Sequence, residues 1–310
     1  DNCPSGWNSA DADSDGTPDA CDTTPGGGTV VNVSQFNLCD SGSLTTACVV
    51  STSKSFNNQN LRISGPGSLT INNGATVSCS SSLCSVDIDM AQNVNLNGTI
   101  QAASVAVQGA NIVVSGTVTT SGRGYSANNG PGAGSHCSTN IGASGAGHGG
   151  YGGGCNGNVS GGNKGMPYGN VKRSFEFGSG GGTQSAYGQS GGTGGGRIHI
   201  TATSQMTING ALSSAGSSGS GNSSSYGAGG GSGGSILIET PSLSGTGSLN
   251  AQGGNGAIIN GGGGAGGRIS VLATNYGGDL SFSTGPGCSG ASSGCSSSRA
   301  GAGTVYLQDS

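Results

Sequence analysis

Charge is what this chain most lacks. Of its 310 residues only 7% are Asp, Glu, Lys or Arg, only 4% are aromatic, and a single Trp is present. Nine basic residues, scattered against thirteen acidic ones, give a net charge of −4. Phosphate binding needs clustered Lys and Arg, so the balance argues against nucleic acid as a partner. No run of eighteen apolar residues occurs, which leaves no candidate for a membrane-spanning helix. CxxC is absent and His occurs only three times, which counts against a zinc site. So few aromatics exclude a core built on large rings.

Glycine is what takes their place, at 69 residues. Such an excess ordinarily marks disorder, because the chain has too little apolar area to offset its ordering entropy. Here the apolar residues fall in short alternating runs, the signature of ordered strands. Ten cysteines follow one another in neighbouring pairs: Cys3 with Cys21, Cys39 with Cys48, Cys79 with Cys84, Cys137 with Cys155, and Cys288 with Cys295. An even count in a small-residue chain reads as local disulfides formed in an oxidising, extracellular compartment. The chain opens at Asp1 with no Met and no signal segment, as a processed protein or a fragment does.

The sparse charge is concentrated in "DADSDGTPDACD", residues 11–22. Numbered as a twelve-residue loop, it places Asp11, Asp13 and Asp15 at positions 1, 3 and 5. Gly16 then falls at 6, the Thr17 carbonyl at 7, Asp19 at 9 and Asp22 at 12. Calcium takes six to eight hard oxygen ligands, and this spacing wraps alternate side chains round one ion while glycine permits the sharp turn. The one departure from an EF-type loop is Asp rather than the longer Glu at position 12. A solvated acidic linker is the rival.

Residues 1–22, "DNCPSGWNSADADSDGTPDACD", resemble a thrombospondin type 3 repeat: Asp-Asn-Cys-Pro, an Asn, the Asp-x-Asp-x-Asp-Gly run, then Asp-Ala-Cys-Asp. The resemblance implies a calcium-binding, disulfide-tied extracellular connector, with Ca2+ held by Asp11, Asp13, Asp15, Asp19 and Asp22. It covers 22 of 310 residues, and one repeat stands where that family usually has several in tandem. "TTPGGGT", residues 23–29, is a Pro/Gly linker to the body.

The body, residues 30–310, repeats. Stretches from Val86, Val105, Ile198 and Ile236 each read apolar-x-apolar, a gap, an x-apolar run ending in glycine, then x-apolar-x-small, with Gly98, Gly116, Gly210 and Gly247 in one equivalent place. Period-two alternation predicts strands, two to three per unit, with Val, Ile and Leu inward. Units of some twenty residues cannot fold alone but bury a continuous column when stacked. An all-β parallel β-helix, or solenoid, is therefore expected. The alternative is a β-sandwich, for which Asn97-Gly98 would be a hairpin turn.

Later units begin at Ile198, Ile236, Ile269 and Val305, which are 38, 33 and 36 residues apart and separated by glycine tracts. Phrased so regularly, the tracts predict extended threefold strands of the polyglycine II kind, bonded backbone to backbone as a second layer. The rival is a set of surface loops. The longest insertion, residues 123–196, carries Tyr151, Tyr168, Phe175 and Phe177, fitted either to bind a ligand or subunit or to cap the glycine layer.

Asp87 and Asp89 share one outward strand phase, about 7 Å apart, a spacing open to acid–base hydrolysis of polysaccharide. No Arg, Lys or His neighbours them in sequence, and His199, on an outward phase, is remote. No enzyme is expected. Asn32, Asn97, Asn158 and Asn222 head Asn-x-Ser/Thr sequons. The expectation is an extracellular structural protein that self-associates head to tail into a filament, layer or matrix. A glycan-binding adhesin and a polysaccharide-degrading enzyme are the alternatives.

Overall fold

The computed structural model describes residues 30–56, 59–79, 83–138, 141–155, 164–222, 226–290 and 300–309. These residues are all-β apart from one four-residue helix, α1 (Gln35–Leu38), and a short 3-10 turn at Ser185–Tyr187. Every ladder between strands is parallel, and the strands fall into two sheets.

One sheet is built on β1 (Val30–Asn32), β4 (Asn60–Gly65), β7 (Ser85–Met90), β10 (Ser104–Val114), β12 (Arg197–Ile208), β14 (Ser235–Ser244), β16 (Arg268–Tyr276) and β18 (Thr304–Asp309), in that spatial order. A side ladder of β2 (Ala47–Val50), β5 (Ser68–Ile71) and β8 (Val94–Leu96) joins it at β10. That strand pairs with β7 through its first half and β8 through its second, with a register shift between Gly109 and Asn111. The other sheet runs β17 (Ser281–Ser283), β15 (Ser248–Asn250), β13 (Ala211–Ser213), β11 (Thr117–Thr119), β9 (Thr99–Gln101), β6 (Thr76–Ser78) and β3 (Lys54–Ser55). Successive repeats thus lie side by side in both sheets, a solenoid-like arrangement.

The alternation explains the core. Leu61, Val86, Val105, Ile198, Ile236 and Ile269 stand in register, one per repeat, and all are buried. The other sheet faces them with Val77, Ile100, Val118, Leu212 and Leu249. Asn97-Gly98 turns no hairpin; it is the corner between β8 and β9, which belong to different sheets. The repeat glycines stack there: a Cβ on Gly116 would lie 1.9 Å from the Gly98 carbonyl oxygen, and one on Gly210 1.9 Å from that of Gly116. Only a residue without a side chain lets each corner nest on the last.

The glycine tracts leave the second sheet after β11, β13, β15 and β17 and return before β12, β14, β16 and β18. They bond to one another with a period of three. In the limb before β14, Ala228, Gly231 and Gly234 donate to the carbonyls of Ser220, Ser217 and Ser214. Gly229 and Ser232 donate to Gly182 and Ser179, and Gly230 and Gly233 donate to Gly262 and Ala265. One limb therefore holds three neighbours in rotation, which is possible only for an extended chain with three residues per turn. A β-strand, with period two, binds neighbours on two sides only.

The two ends of the ladders differ. At the β2 end, Cys48 and Val50 are buried although theirs is the outermost strand, and α1 places Leu38 in the same core cluster. At the β18 end, Val305 and Leu307, in register with buried Ile269 and Val271, are 40% and 51% exposed.

Candidate functional site

The acidic loop with Asp11, Asp13, Asp15, Thr17, Asp19 and Asp22 lies outside the described residues, as do Cys3, Cys21, Cys295 and Asn158. Disulfides join Cys39 to Cys48, Cys79 to Cys84 and Cys137 to Cys155, and Cys288 is also disulfide-bonded. Such bonds place maturation in an oxidising compartment. No described helix is long and apolar enough to cross a membrane. Among the described residues, no three His, Cys, Asp or Glu converge as a metal site. Asn32 and Asn222 are exposed, and Asn97 is half-buried at its corner.

Asp87 and Asp89 project from the outer face of the first sheet. Register sets Arg62 of β4 directly beside Asp87, and its guanidinium lies 3.8 Å from Asp89. Burial raises the pKa of Asp87; Arg62 opposes the rise and the like charge of Asp89 reinforces it. Both partners of the Arg62–Asp89 contact are about half exposed, so it adds little stability. Ser64, Asp89, Gln108 and Thr203 line an open depression of about 430 Å³ alongside. The arrangement offers one carboxyl inclined to hold its proton, one carboxylate, a cation and an amide, suited to hydrogen-bonding a hydroxyl-rich ligand.

Farther along the same face the long insertion is clamped down. Arg197, in the outward phase yet almost fully buried, stacks its guanidinium on Phe175 at 4.2 Å and Phe177 at 4.8 Å. Its Nε donates to Ser104 Oγ. Beside it, His199 Nε2 meets Glu239 Oε2 at 2.7 Å, and Arg173 closes on the other carboxylate oxygen. The Glu239 carboxyl is held below the usual range by His199 first, against the opposing effect of burial, with Arg173 adding to it. His199 is thus a structural partner at this face, not a neighbour of Asp87.

Beneath lies a buried polar cluster. Arg268 donates to the Tyr168 carbonyl at 2.8 Å, to the His148 carbonyl and to Thr304 Oγ1. Tyr168 stacks on the His148 ring at 4.6 Å and donates its hydroxyl to the Phe177 carbonyl. His148 Nδ1 lies 2.7 Å from the Gly233 carbonyl, so that nitrogen carries a proton. Its Nε2 faces Glu176 Oε2 at 4.0 Å, a charge approach rather than a hydrogen bond. Burial alone would raise the Glu176 pKa. The facing imidazole and the N–H groups of Phe175 and Asn170 outweigh it, and the net shift is downward. Burial pushes the Tyr168 phenol well up, which keeps it a donor.

Tyr168, Phe175 and Phe177 are therefore drawn into fastening the insertion to the sheet, while Tyr151 stays exposed beneath Lys164. Arg62, Arg197 and Arg268 escape a reading of local sequence, because their partners come from distant repeats. Aligning "LRI" at 61–63 with "VDI" at 86–88 would have set Arg62 beside Asp87. The glycine-flanked "GGRI" at 195–198 and 266–269 likewise marks Arg197 and Arg268 as equivalent. Comparison with protein-family models, curated proteins and solved structures gave no match to this chain.

Proposed function

We propose that this chain is an extracellular structural protein, a self-associating subunit of a surface filament, surface layer or matrix. The observation that carries it is the period-three bonding of the glycine limbs against a stacked parallel ladder. In this reading the ladder closes as a parallel β-helix, and the limbs form a polyglycine-II-like layer along it. Each backbone group is held by a different neighbour, so bending the molecule means breaking many bonds together. Such a body is a stiff strut with a surface poor in charge. The N-terminal segment serves as a calcium-rigidified connector, with Asp11, Asp13, Asp15, the Thr17 carbonyl, Asp19 and Asp22 as oxygen donors. Electron microscopy and small-angle scattering of the purified chain in calcium are expected to show extended assemblies. A monodisperse monomer at every concentration would overturn the reading.

One observation favours a second reading, a glycan-binding adhesin: the open polar depression beside Arg62, Asp87 and Asp89. Its test is a glycan array read with wild-type protein and Asp89→Asn, in which binding is lost only in the variant. Hydrolysis by the pair is given no part here. Turnover of a polysaccharide that disappears in Asp87→Asn would reinstate it.

A further inference from the structure

We propose that the β18 end of the ladder is an interface for a second copy of this chain, joined by antiparallel pairing of β18 with β18 about a twofold axis.

Three observations carry it. The first is that β18 is the last strand of its sheet, with no described strand on its outer edge. Its row of N–H and C=O groups is a template for another strand. Second, the core-phase residues Val305 and Leu307 are half uncovered there, whereas their equivalents in every inner repeat are buried. Third, the opposite end is closed, with Cys48, Val50 and Leu38 buried. An open end meeting a closed end buries little, so a head-to-tail stack is disfavoured. Two open ends bury apolar surface on both sides.

The strand is self-complementary in one register. With Tyr306 opposite Tyr306 of the second copy, Val305 falls opposite Leu307 and Thr304 opposite Gln308. Apolar residues then meet on the inner side and polar residues on the outer. A slip of one residue would set inward positions against outward ones. Because the axis stands perpendicular to the sheet, both cores lie on the same side of it, and the ladder continues through the junction. The result is a closed dimer with its β1 ends pointing apart.

The pairing goes beyond the scaffold role and stands without it: extended assemblies report on the one, contact of β18 with itself on the other. Tyr306→Cys provides the test. Paired residues in an antiparallel ladder have Cα atoms about 4.5–5.5 Å apart, within disulfide reach. Mild oxidation is expected to give a single covalent dimer that does not grow further. In parallel, Leu307→Lys should raise the dimer dissociation constant in sedimentation equilibrium by about tenfold or more while leaving the far-ultraviolet circular dichroism unchanged. Absence of the cross-link, or wild-type dissociation in Leu307→Lys, overturns the proposal.

Discussion

Glu176 shows how a single residue can be costly and useful at once. Its carboxyl is almost fully buried, and Gly169 makes room for it: a Cβ there, at φ +82°, would sit 2.6 Å from the Glu176 carboxyl carbon. Removing one member of a buried charge cluster leaves the others uncompensated, at a cost of about 3–5 kcal/mol. Glu176→Ala is accordingly expected to lower the unfolding free energy by that order in urea titrations, with Glu176→Gln losing less because it still accepts from the Phe175 and Asn170 N–H groups. The pKa of Glu176 is depressed in the folded state. Its contribution is therefore present above the ordinary carboxylate range and fades as pH falls through and below about 4.

Asp40 behaves alike at the surface. Lys54 at 2.7 Å, then the N–H groups of Ser51 and Thr52 and the Thr52 hydroxyl, hold its carboxyl well below the usual range. Asp40→Asn should lower the melting temperature at about pH 7, and the gap from wild type should narrow as pH drops below about 4. Scanning calorimetry across that range checks both the size and the sign.

Among the elements, the glycine limbs depend most on what is missing from their residues. A Cβ on Gly254 would fall 1.9 Å from the Ser217 carbonyl oxygen, whereas one on Gly277 would meet nothing within 4 Å. Gly254→Ala is therefore expected to cost about 1–3 kcal/mol through overpacking. It should also speed amide exchange at Gly231, whose N–H is bonded to that same Ser217 carbonyl. Gly277→Ala should be neutral or slightly stabilising. Equal effects from the two substitutions would mean that close approach of limbs does not set glycine's placement. The strands are governed differently: they are short, and their stability comes from apolar columns that no single strand can build alone.

For the whole molecule, the disulfides and the acidic segment set the conditions under which it functions. Calorimetric titration of the chain with Ca2+ is expected to show binding that Asp13→Asn with Asp15→Asn abolishes. Extended assemblies seen in calcium should shorten or disperse in chelator. Unchanged heats in the double variant would remove the calcium role. Reduction of Cys39–Cys48 should loosen the closed end first, since that bond ties the segment after α1 to β2.

Much of this architecture could be read before any fold was known. The alternation at 86–90 and 105–107, the starts at Ile198, Ile236, Ile269 and Val305, and the corner glycines all reflect local rules. A strand shows its phase within a few residues, and a nested corner tolerates no Cβ. The rhythm of the glycine tracts foretold that they belong to the repeat. What lay hidden was everything joined across repeats: Arg62 beside Asp87, Arg197 beneath Phe175 and Phe177, His148 facing Glu176, and Glu239 rather than an aspartate as the partner of His199. Such pairs are set by which residue arrives at the same height in the next turn of chain, a distance fixed by the length of each glycine excursion and not by neighbouring sequence. The sequence by itself determined parallel-ready strands and a backbone able to pack without side chains. Only the tertiary structure decided which charges meet and which end stays open, because both depend on stacking whole repeats.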